Sequence, residues 1–455
     1  MKFELTKEYI QNLSTLIETR DDEELLDIFH SLHPADIADI LEELSHEDAR
    51  YIFLQLPPEL AAKTLVEIEE DKIERLIKVI PPNIIATELV ENMDSDDAVD
   101  ILQNIPKHIA YEILQNFSNS QHQYDVAKLL NYDEDTAGGI MATELIRVNI
   151  NWDVQTCLHE IRRQHEEVEN ILLAYVVDDK NKLEGTLPIT KLITNHEKVR
   201  VQDIFFKDVL SVQTFTPAEE VALIMEKYDL FVLPVVDSFN HLKGRITLDD
   251  IIDVVREESD KDYQLVSGIT QDIEANDTIF RQSKARLPWL FIGLIGGVLA
   301  SHVIGVFEGD IQKYTGLALF LPLIVAMGGN VGVQSSSIIV QSIANGSLKF
   351  ESIAHRTLKE LLGGLLIGAV CASALFGYNL LVGQHLALTL SVSIALFSII
   401  IFASAFGTLI PLILHKIKID PAIATGPFIT TLNDVIGGLI YFSIARLIFD
   451  MNIIL

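Results

Sequence analysis

Cysteine and basic residues are scarce in this 455-residue sequence, and each shortage argues against a class of protein. The two cysteines, Cys157 and Cys371, are too few for a disulfide framework and are typical of a reducing cytoplasm. Lysine and arginine number 34 against 65 aspartate and glutamate residues, which gives a net charge of -31. Such an acidic chain repels phosphate backbones and attracts cations, so we expect no nucleic-acid partner.

Targeting and catalytic motifs are also missing. The first residues, MKFELTKEYIQNL, contain no apolar core of signal-peptide length, so we expect the soluble part to stay on the cytoplasmic side. We find no HExxH motif, no phosphate-binding loop and no nucleophile–base pair, and therefore predict that the chain is not an enzyme.

The acidic charge is confined to one part of the chain. The first 285 residues contain 26 basic and 58 acidic residues, whereas residues 286–455 contain 8 and 7. The second part carries five apolar runs long enough to cross a bilayer core of ~30 Å. These runs are Leu287–Phe307, Gly316–Ile343, Leu361–Val382, Leu386–Leu414 and Pro421–Phe449. We therefore predict an acidic soluble region followed by an all-α, five-helix transmembrane domain at 286–455.

Basic residues in the short loops predict how this domain is oriented. Loops on the cytoplasmic side carry an excess of lysine and arginine. Lys313 is the only basic residue in the two loops that follow the first and third runs. The other basic residues precede the first run or follow the second and fourth, namely Arg281, Lys284, Arg286, Lys349, Arg356, Lys359, Lys416 and Lys418. The soluble region is thus predicted to be cytoplasmic and the C-terminus external.

Prolines recur every 24 residues in the N-terminal region, at Pro34, Pro58, Pro82 and Pro106. An alanine follows each proline by four residues, and a leucine or isoleucine follows it by seven. Proline in the first turn of a helix, followed by apolar residues at helical spacing, predicts short helices, two in each unit. We therefore predict an α-helical solenoid of stacked helix pairs over residues 1–131.

A second repeat follows the linker DEDTAGGIMATE at 133–144. The β-rich runs ILLAYVVDD (171–179) and FVLPVVD (231–237) begin 60 residues apart, and each is followed by a glycine, a short strand and a helix. This α/β pair at 132–248 resembles tandem CBS domains, which sense adenosine nucleotides or other ligands. Thr247 and Asp250 of the second copy match positions that meet a ribose. Lys191 replaces the aspartate in the first copy and cannot accept a hydrogen bond. A purely structural dimerisation module is the alternative.

The segment at 249–285 is predicted to be a connecting helix rich in like charges. Its first part, DDIIDVVREESDKDYQLVSG at 249–268, carries acidic residues at Asp249, Asp250, Asp253, Glu257, Glu258, Asp260 and Asp262. Like charges at helical spacing destabilise a helix. We therefore expect a bound cation there.

Asp434 is the only acidic residue inside the five apolar runs. It follows Asp420, the predicted N-cap of the last helix, by 14 residues, which is ~21 Å along a helix axis. A carboxylate at that depth costs ~2.5 kcal/mol or more unless it meets water, a cation or a partner. Thr430, Gly437 and Gly438 share its face, so we predict an ion site; a protonated or hydrogen-bonded structural aspartate is the alternative.

The second apolar run contains polar and flexible residues together. Gly328 and Gly329 permit an irregular backbone, and Asn330 and Gln334 are amides. Irregular polar backbone occurs at membrane depth where it is buried in protein or lines a watery cavity. We predict such a segment here.

The motifs MGGNVGVQ (327–334), DPAIATGPFITTLNDVIGGLIYF (420–442) and AGGIMATE (137–144) resemble those of the MgtE family of magnesium channels. The resemblance implies a homodimer in the bacterial inner membrane that spans the lipid bilayer many times and imports Mg²⁺ down its electrochemical gradient. It makes Asp434 the pore aspartate, with Asn330 and Thr430 on the same path. Because Mg²⁺ sheds water reluctantly, two carboxylates would hold a largely hydrated ion.

The same resemblance implies that cytosolic Mg²⁺ closes the pore by bridging the N-domain, the CBS pair and a "plug" helix. The matching residues are Asp96, Asp100, Asp229, Asp250, Asp253, Glu258, Asp262 and Asp420. Two positions depart from the family pattern: Lys261 replaces a plug-helix acid expected to face Asp420, and Gly426 replaces an amide near the pore mouth. ATP at the CBS pair is left open as a second ligand.

Two other functions remain as alternatives. One is a carrier of broader divalent selectivity (Mn²⁺, Co²⁺, Ni²⁺). The other is a membrane-anchored CBS nucleotide sensor whose spans only dimerise it. The membrane aspartate and the GGN segment favour ion transport, since an anchor needs neither.

Overall fold

The computed structural model describes residues 5–68, 70–77, 80–164, 168, 171–270, 273, 278–344, 353–424 and 426–450. The chain divides into two units, Met1–Arg256 and Glu257–Leu455. The first contains the helical repeats and two small sheets, and the second contains the apolar helices.

Short helices form the N-terminal part of the first unit. They span Lys7–Thr19, Asp22–His30, Pro34–Glu43, His46–Phe53, Pro58–Val66, Glu70–Ile77, Ser95–Gln103, Lys107–Gln115 and Ser120–Leu129. Between them, Pro82–Ile84, Ile85–Leu89 and Val90–Asn92 follow one another as α, π and 3-10 turns. Three repeat prolines begin a helix, and Pro106 directly precedes one. The prediction of two short helices in each 24-residue unit is confirmed.

The repeated apolar positions form the core of this helical part. Both sets of residues that follow the prolines are buried, namely Ala38, Ala62, Ala86, Ala110, Leu41, Leu65, Leu89 and Ile113. The small alanines let neighbouring helices approach, and the larger residues fill the space between them. Each helix pair therefore buries its apolar face against the next pair.

Two three-stranded sheets with the same topology follow. Their strands are Arg147–Asn149, Leu173–Val177 and Leu183–Pro188 in the first sheet, and Val212–Gln213, Val232–Val236 and Leu242–Thr247 in the second. In each sheet the first pair is parallel, and the second pair is antiparallel with a register shift at its end. The accompanying helices are Val154–Gln164, Ile189–Thr194, Val201–Ile204 and Ala218–Lys227. The duplicated α/β unit is confirmed.

The two copies contact each other through their hairpin turns. The Leu183 amide donates to the Asn240 carbonyl at 2.9 Å, and the Leu242 amide donates to the Asn181 carbonyl at 3.0 Å. Both asparagines are left-handed, with φ of 66° and 62°, a conformation that asparagine tolerates. The reciprocal bonds join the copies into one pair.

The connecting helix spans Leu248–Val266 and is shorter than the 249–285 segment predicted for it. Gly268, with φ of 80°, follows its end, and the Gly268 amide donates to the Leu265 carbonyl at 3.0 Å. A left-handed glycine just past the last turn ends a helix by satisfying its free carbonyls. The next helix begins at Ile279.

Five long apolar helices dominate the second unit, and each is long and apolar enough to cross a membrane. They span Ile279–Val306, Gly316–Ala344, Ile353–Leu381, Leu386–Lys416 and Pro427–Asp450, with a short helix at Glu308–Lys313 and a 3-10 turn at Pro421–Ala424. The five predicted spans are confirmed. We call Gly316–Ala344 the GGN helix and Pro427–Asp450 the Asp434 helix.

Two predictions about these helices are wrong. The GGN helix is continuous through Gly328 and Gly329, because its glycines allow close packing without a break in the backbone. The last helix begins at Pro427, since Gly426 has a left-handed φ of 49°. Asp434 is therefore seven residues into its helix, ~10 Å from the start.

Candidate functional site

Carboxylates from three segments of the first unit converge outside the apolar helices. Asp94, Asp96 and Glu144 each present an oxygen, and these oxygens lie within 4.8 Å of one another. The charge of Asp250 acts on both Asp96 and Asp97. We call these five residues the carboxylate cluster. Oxygen ligands of this kind suit Mg²⁺, which also retains several waters.

The cluster is held by contacts between the helix Ser95–Gln103 and the linker after the helical repeats. The Ser95 amide and hydroxyl donate to Glu144 Oε2 at 3.1 and 2.8 Å. The Thr143 amide donates to Ser95 Oγ at 2.9 Å. These bonds satisfy a free amide at the helix start and fix Glu144 beside the aspartates.

The second sheet reaches the cluster through Arg245. Its guanidinium lies 3.5 Å from Asp94 Oδ2. Its backbone exchanges two 2.9 Å hydrogen bonds with Ala142, amide to carbonyl in each direction. A Cβ on the neighbouring Gly244 would lie 2.5 Å from the Ala142 carbonyl oxygen, so only glycine allows this approach.

Thr247 and Asp250, predicted to meet a ribose, bond each other at the start of the connecting helix. The Thr247 amide and hydroxyl donate to Asp250 Oδ2 at 2.7 and 2.8 Å, and the hydroxyl also donates to Asp249. The bond from the amide of this N-cap threonine to the side chain of the third helical residue is one half of a capping box. Burial raises the pKa of Asp250, although the bonds from Thr247 oppose that rise.

In the first copy the corresponding position is filled by the chain itself. Lys191 Nζ donates to the Ile204 carbonyl at 2.9 Å and lies 3.8 Å from the centre of the Phe206 ring. The lysine is thus engaged within its own domain.

The cluster carries more negative charge than its surroundings favour. Burial raises the pKa of Asp96 well above its usual range, and the four other cluster charges raise it further. The pKa of Asp97 is likewise raised, to about 8. Burial is the largest cause, and the negative charges of neighbouring carboxylates, chiefly Asp94 and Asp100, add to it. Such groups retain a proton or need a cation.

We expect the Mg²⁺-free protein to lose stability as the pH rises through about 8. The ordinary pKa of an aspartate, 3.8, applies in the unfolded chain, whereas the pKa of Asp97 is about 8 in the folded protein. The folded state therefore binds this proton more tightly than the unfolded state. The resulting stabilisation is fully present below the ordinary pKa and is lost as the pH passes the raised one. Thermal unfolding in a chelator, followed across this range, measures the effect.

Asp97→Asn is expected to flatten this pH dependence, as is saturating Mg²⁺, which replaces the proton. Asp39→Asn, the same change at an exposed position, is the control and should behave as wild type. A melting temperature that is independent of pH in the Mg²⁺-free wild type would contradict the prediction.

Among the other predicted sensing residues, Asp100 lies close enough for its charge to act on Asp97, and the rest lie apart or have local partners. Asp100, Asp229 and Asp253 are exposed, whereas Glu258 and Asp262 are half-buried on the connecting helix. Glu258 forms a 3.0 Å ion pair with Lys261. Asp420 is exposed, and its Oδ1 accepts a 2.8 Å bond from the Ala422 amide, which caps the 3-10 turn.

In the second unit, Asp434 is half-buried on its helix and Asn330 is exposed on the GGN helix. Thr430, one turn before Asp434, is half-buried, and its hydroxyl donates to the carbonyls of Gly426 and Pro427 at 3.1 and 3.0 Å. The three predicted pore residues therefore all keep some accessible surface within the long apolar helices.

Asn433 joins the GGN helix to the Asp434 helix, and sequence reasoning missed it. It is 1% exposed, and its Nδ2 donates to the Gly328 carbonyl at 3.1 Å. A Cβ at Gly332 would overlap Asn433 Nδ2, and one at Gly329 would lie 3.4 Å from Thr430 Cγ2. Asn433 directly precedes Asp434, so this contact fixes the position of Asp434 along the helix axis relative to the GGN helix. The polar Asn-Asp pair in an apolar run was the available signal.

Other glycines of this domain serve packing as well. A Cβ at Gly407 would overlap the Gly332 carbonyl, so two helices touch backbone to backbone. Gly437 and Gly438 are buried, and a Cβ on them would contact Ile399 and Val303 at 3.9 and 3.8 Å. Within one chain they therefore face neighbouring helices rather than a pathway.

The end of the connecting helix contacts the start of the Asp434 helix. A Cβ at Gly426 would overlap the Val266 carbonyl, and a Cβ at Gly268 would lie 2.7 Å from Pro427 Cγ. Both glycines are left-handed. This contact explains why glycine stands at 426.

Comparisons with known proteins agree with these observations. A family model described as "MgtE: Divalent cation transporter" matches residues 321–444, one for the MgtE intracellular N domain matches 32–135, and a CBS domain model matches 201–257. The crystal structure of the soluble part of a magnesium transporter is 29% identical, with a TM-score of 0.51, and covers 56% of this chain and 99% of its own. The cytosolic domain of the Mg²⁺ channel MgtE in complex with ATP is 32% identical, with a TM-score of 0.51, over 54% of this chain and 99% of its own.

Two curated relatives extend the similarity through the membrane domain. Magnesium transporter MgtE of Bacillus subtilis (strain 168) is 35% identical over 353 residues, which are 78% of either chain. Magnesium transporter MgtE of Thermus thermophilus is 34% identical over 78% of this chain and 80% of its own. The helical domain, the CBS pair, the five apolar helices and these relatives together show that the chain belongs to the MgtE family of magnesium transporters, multi-pass membrane proteins that are not enzymes.

Proposed function

We propose that this transporter is a homodimeric, Mg²⁺-selective channel that imports Mg²⁺ down its electrochemical gradient and closes when cytosolic Mg²⁺ is high. The observation that carries the proposal is the half-exposed carboxylate of Asp434 at membrane depth. A carboxylate facing lipid is costly, whereas one that faces a cation in an aqueous path is stabilised.

A polar stripe on the GGN helix supports a path between two copies. Asn330, Gln334 and Gln341 are exposed, Ser337 is half-buried, and their spacing puts all four on one helix face. Amides facing lipid leave hydrogen-bonding groups unsatisfied. A second copy packed against this stripe would enclose it and bring two Asp434 carboxylates to one pathway.

Two carboxylates and several amides suit a hydrated divalent ion. Mg²⁺ keeps most of its waters, so the carboxylates would hold it through its water shell. Monovalent ions would gain less from the double negative charge, and Ca²⁺ has a hydration shell of different size. Carriage of Mn²⁺, Co²⁺ or Ni²⁺ by the same path is the alternative.

The carboxylate cluster supports closure by cytosolic Mg²⁺. Its members repel one another when no cation is bound, and Mg²⁺ would remove that repulsion. Asp250 belongs to the first turn of the connecting helix, whose last turn contacts Gly426 beside the Asp434 helix. We propose that Mg²⁺ holds this helix in the closed arrangement and that its loss releases it.

ATP is the second ligand that we propose to test. A relative's cytosolic domain was solved in complex with ATP. In this chain a ribose at the second copy would have to replace the bonds between Thr247 and Asp250, and Lys191 occupies the first copy. We also propose that the C-terminus is external, on the basis of the basic residues in the short loops.

The test is Mg²⁺ entry into liposomes that contain the purified wild-type protein and a fluorescent indicator. We expect rapid entry at low internal Mg²⁺ with no other ion gradient, and inhibition once Mg²⁺ saturates the carboxylate cluster. Liposomes without protein are the control. A requirement for a second ion gradient would indicate a carrier, and absence of entry with folded protein would favour the nucleotide sensor.

A further inference from the structure

Arg245 is a buried cation inside the carboxylate cluster. Its side chain is largely enclosed, at 8% residue exposure, and its guanidinium lies 3.5 Å from Asp94 Oδ2. Its Nε has no hydrogen-bond partner among the described residues. Burying a charge is costly unless it is paired, so this arginine depends on the carboxylates around it.

Backbone hydrogen bonds, rather than the charge of its side chain, hold Arg245 beside the linker. Its amide and carbonyl both bond Ala142, in the linker that also carries Glu144. These bonds hold the backbone of Arg245 beside the linker, and its side chain extends from there to Asp94. The guanidinium therefore places a positive charge next to the cluster.

The field of Arg245 reaches beyond Asp94. The positive charge of Arg245 also acts on the Asp250 carboxylate. Arg245 therefore acts on two members of the cluster, one on the helical domain and one on the connecting helix. Asp94 is also one of the three residues whose oxygens lie close enough to share a cation.

We propose that Arg245 is a built-in counter-ion that competes with Mg²⁺ for the carboxylate cluster and so sets the Mg²⁺ concentration at which the cluster fills. The inference rests on the proposed function, because it assumes that the cluster binds Mg²⁺. Arg245 offsets part of the repulsion when Mg²⁺ is absent and repels the divalent ion when it arrives. Neutralising it should therefore tighten Mg²⁺ binding while destabilising the Mg²⁺-free state.

The experiment compares the full-length wild type with Arg245→Gln, Arg245→Met and Arg245→Lys. Each is purified in Mg²⁺ and dialysed, and its melting temperature is followed against Mg²⁺ concentration. We expect the Mg²⁺ midpoint to fall about tenfold in the two neutral variants, from the loss of a nearby like charge. Arg245→Lys retains the charge and should keep a midpoint close to wild type.

A second readout separates this role from a merely structural one. Loss of packing alone would lower the melting temperature equally at every Mg²⁺ concentration, and that result would overturn the inference. The counter-ion role predicts a deficit that is largest in chelator and shrinks as Mg²⁺ is added. If a neutral variant folds only in Mg²⁺, the inference is supported, because Mg²⁺ then replaces the missing charge.

The failure of this inference can be distinguished from failure of the proposed function. A wild type that responds to Mg²⁺, with neutral variants whose midpoint is unchanged or higher, would overturn only the role of Arg245. A wild type whose melting temperature does not respond to Mg²⁺ would overturn the assumption that the cluster binds Mg²⁺, and the inference with it.

Discussion

Replacing Asp434 by asparagine is expected to reduce Mg²⁺ entry by about a hundredfold or more. A unit charge about 4 Å from another contributes ~4 kcal/mol at the effective dielectric constant of protein sites. At ~1.4 kcal/mol for each factor of ten, losing that attraction exceeds two orders of magnitude. Asparagine preserves the size of the side chain and removes its charge, while one acceptor oxygen becomes an amide donor. Asn433, which is buried and bonded to Gly328, continues to fix the helix.

The measurement is the initial rate of Mg²⁺ entry into proteoliposomes at low internal Mg²⁺. Glu308→Gln is the matched control, because it also converts a carboxylate to an amide in the membrane half but at an exposed position. It should transport as wild type. Equal melting temperatures would show that Asp434→Asn is folded. Entry at the wild-type rate in folded Asp434→Asn would exclude this aspartate as the ion site.

The double variant Asp96→Asn with Asp250→Asn is expected to raise the cytosolic Mg²⁺ needed for closure by at least about tenfold. Loss of even an indirect metal contact typically costs ten- to a hundredfold in affinity, and both residues belong to the carboxylate cluster. Conduction at low cytosolic Mg²⁺ should be unchanged, because neither residue lies in the apolar helices.

Inside-out patches measure this directly, with Mg²⁺ in the pipette carrying current and cytosolic Mg²⁺ varied in the bath. The same variant should melt at a higher temperature than wild type in chelator, since fewer carboxylates repel one another, and should gain less from Mg²⁺. Arg245→Gln is expected to lower both the cytosolic Mg²⁺ concentration needed for closure and the melting temperature in chelator. Asp39→Asn serves as the control, and an unchanged closing concentration in the double variant would exclude the cluster from gating.

Much of the architecture follows from local patterns in the sequence. The spacing of Pro34, Pro58, Pro82 and Pro106 predicted the helix pairs, because proline and apolar periodicity act within a few turns. The five apolar runs predicted the five long helices, since a membrane span depends on length and composition. Asp434 was recognised because it is the only acid in those runs.

The start of the last helix depended on contacts that no local sequence pattern predicts. The Asp420–Pro421 pair indicates a helix start, yet the helix begins at Pro427. Gly426 adopts a left-handed conformation there, and the Val266 carbonyl packs against it from a distant part of the chain. The glycines of the GGN segment likewise indicate an irregular backbone, yet the segment is helical. Asn433 and Thr430 pack against these glycines.

The sequence by itself determined the order of domains, the five spans, the excess of acid in the soluble part and the single membrane carboxylate. Tertiary structure decided which acids meet. Glu144 joins Asp94 and Asp96 from about fifty residues away, through Ser95, and Arg245 reaches the same cluster from the second sheet. Proximity of this kind arises from packing between domains, whereas spacing along a chain reports only which residues share one helix or strand.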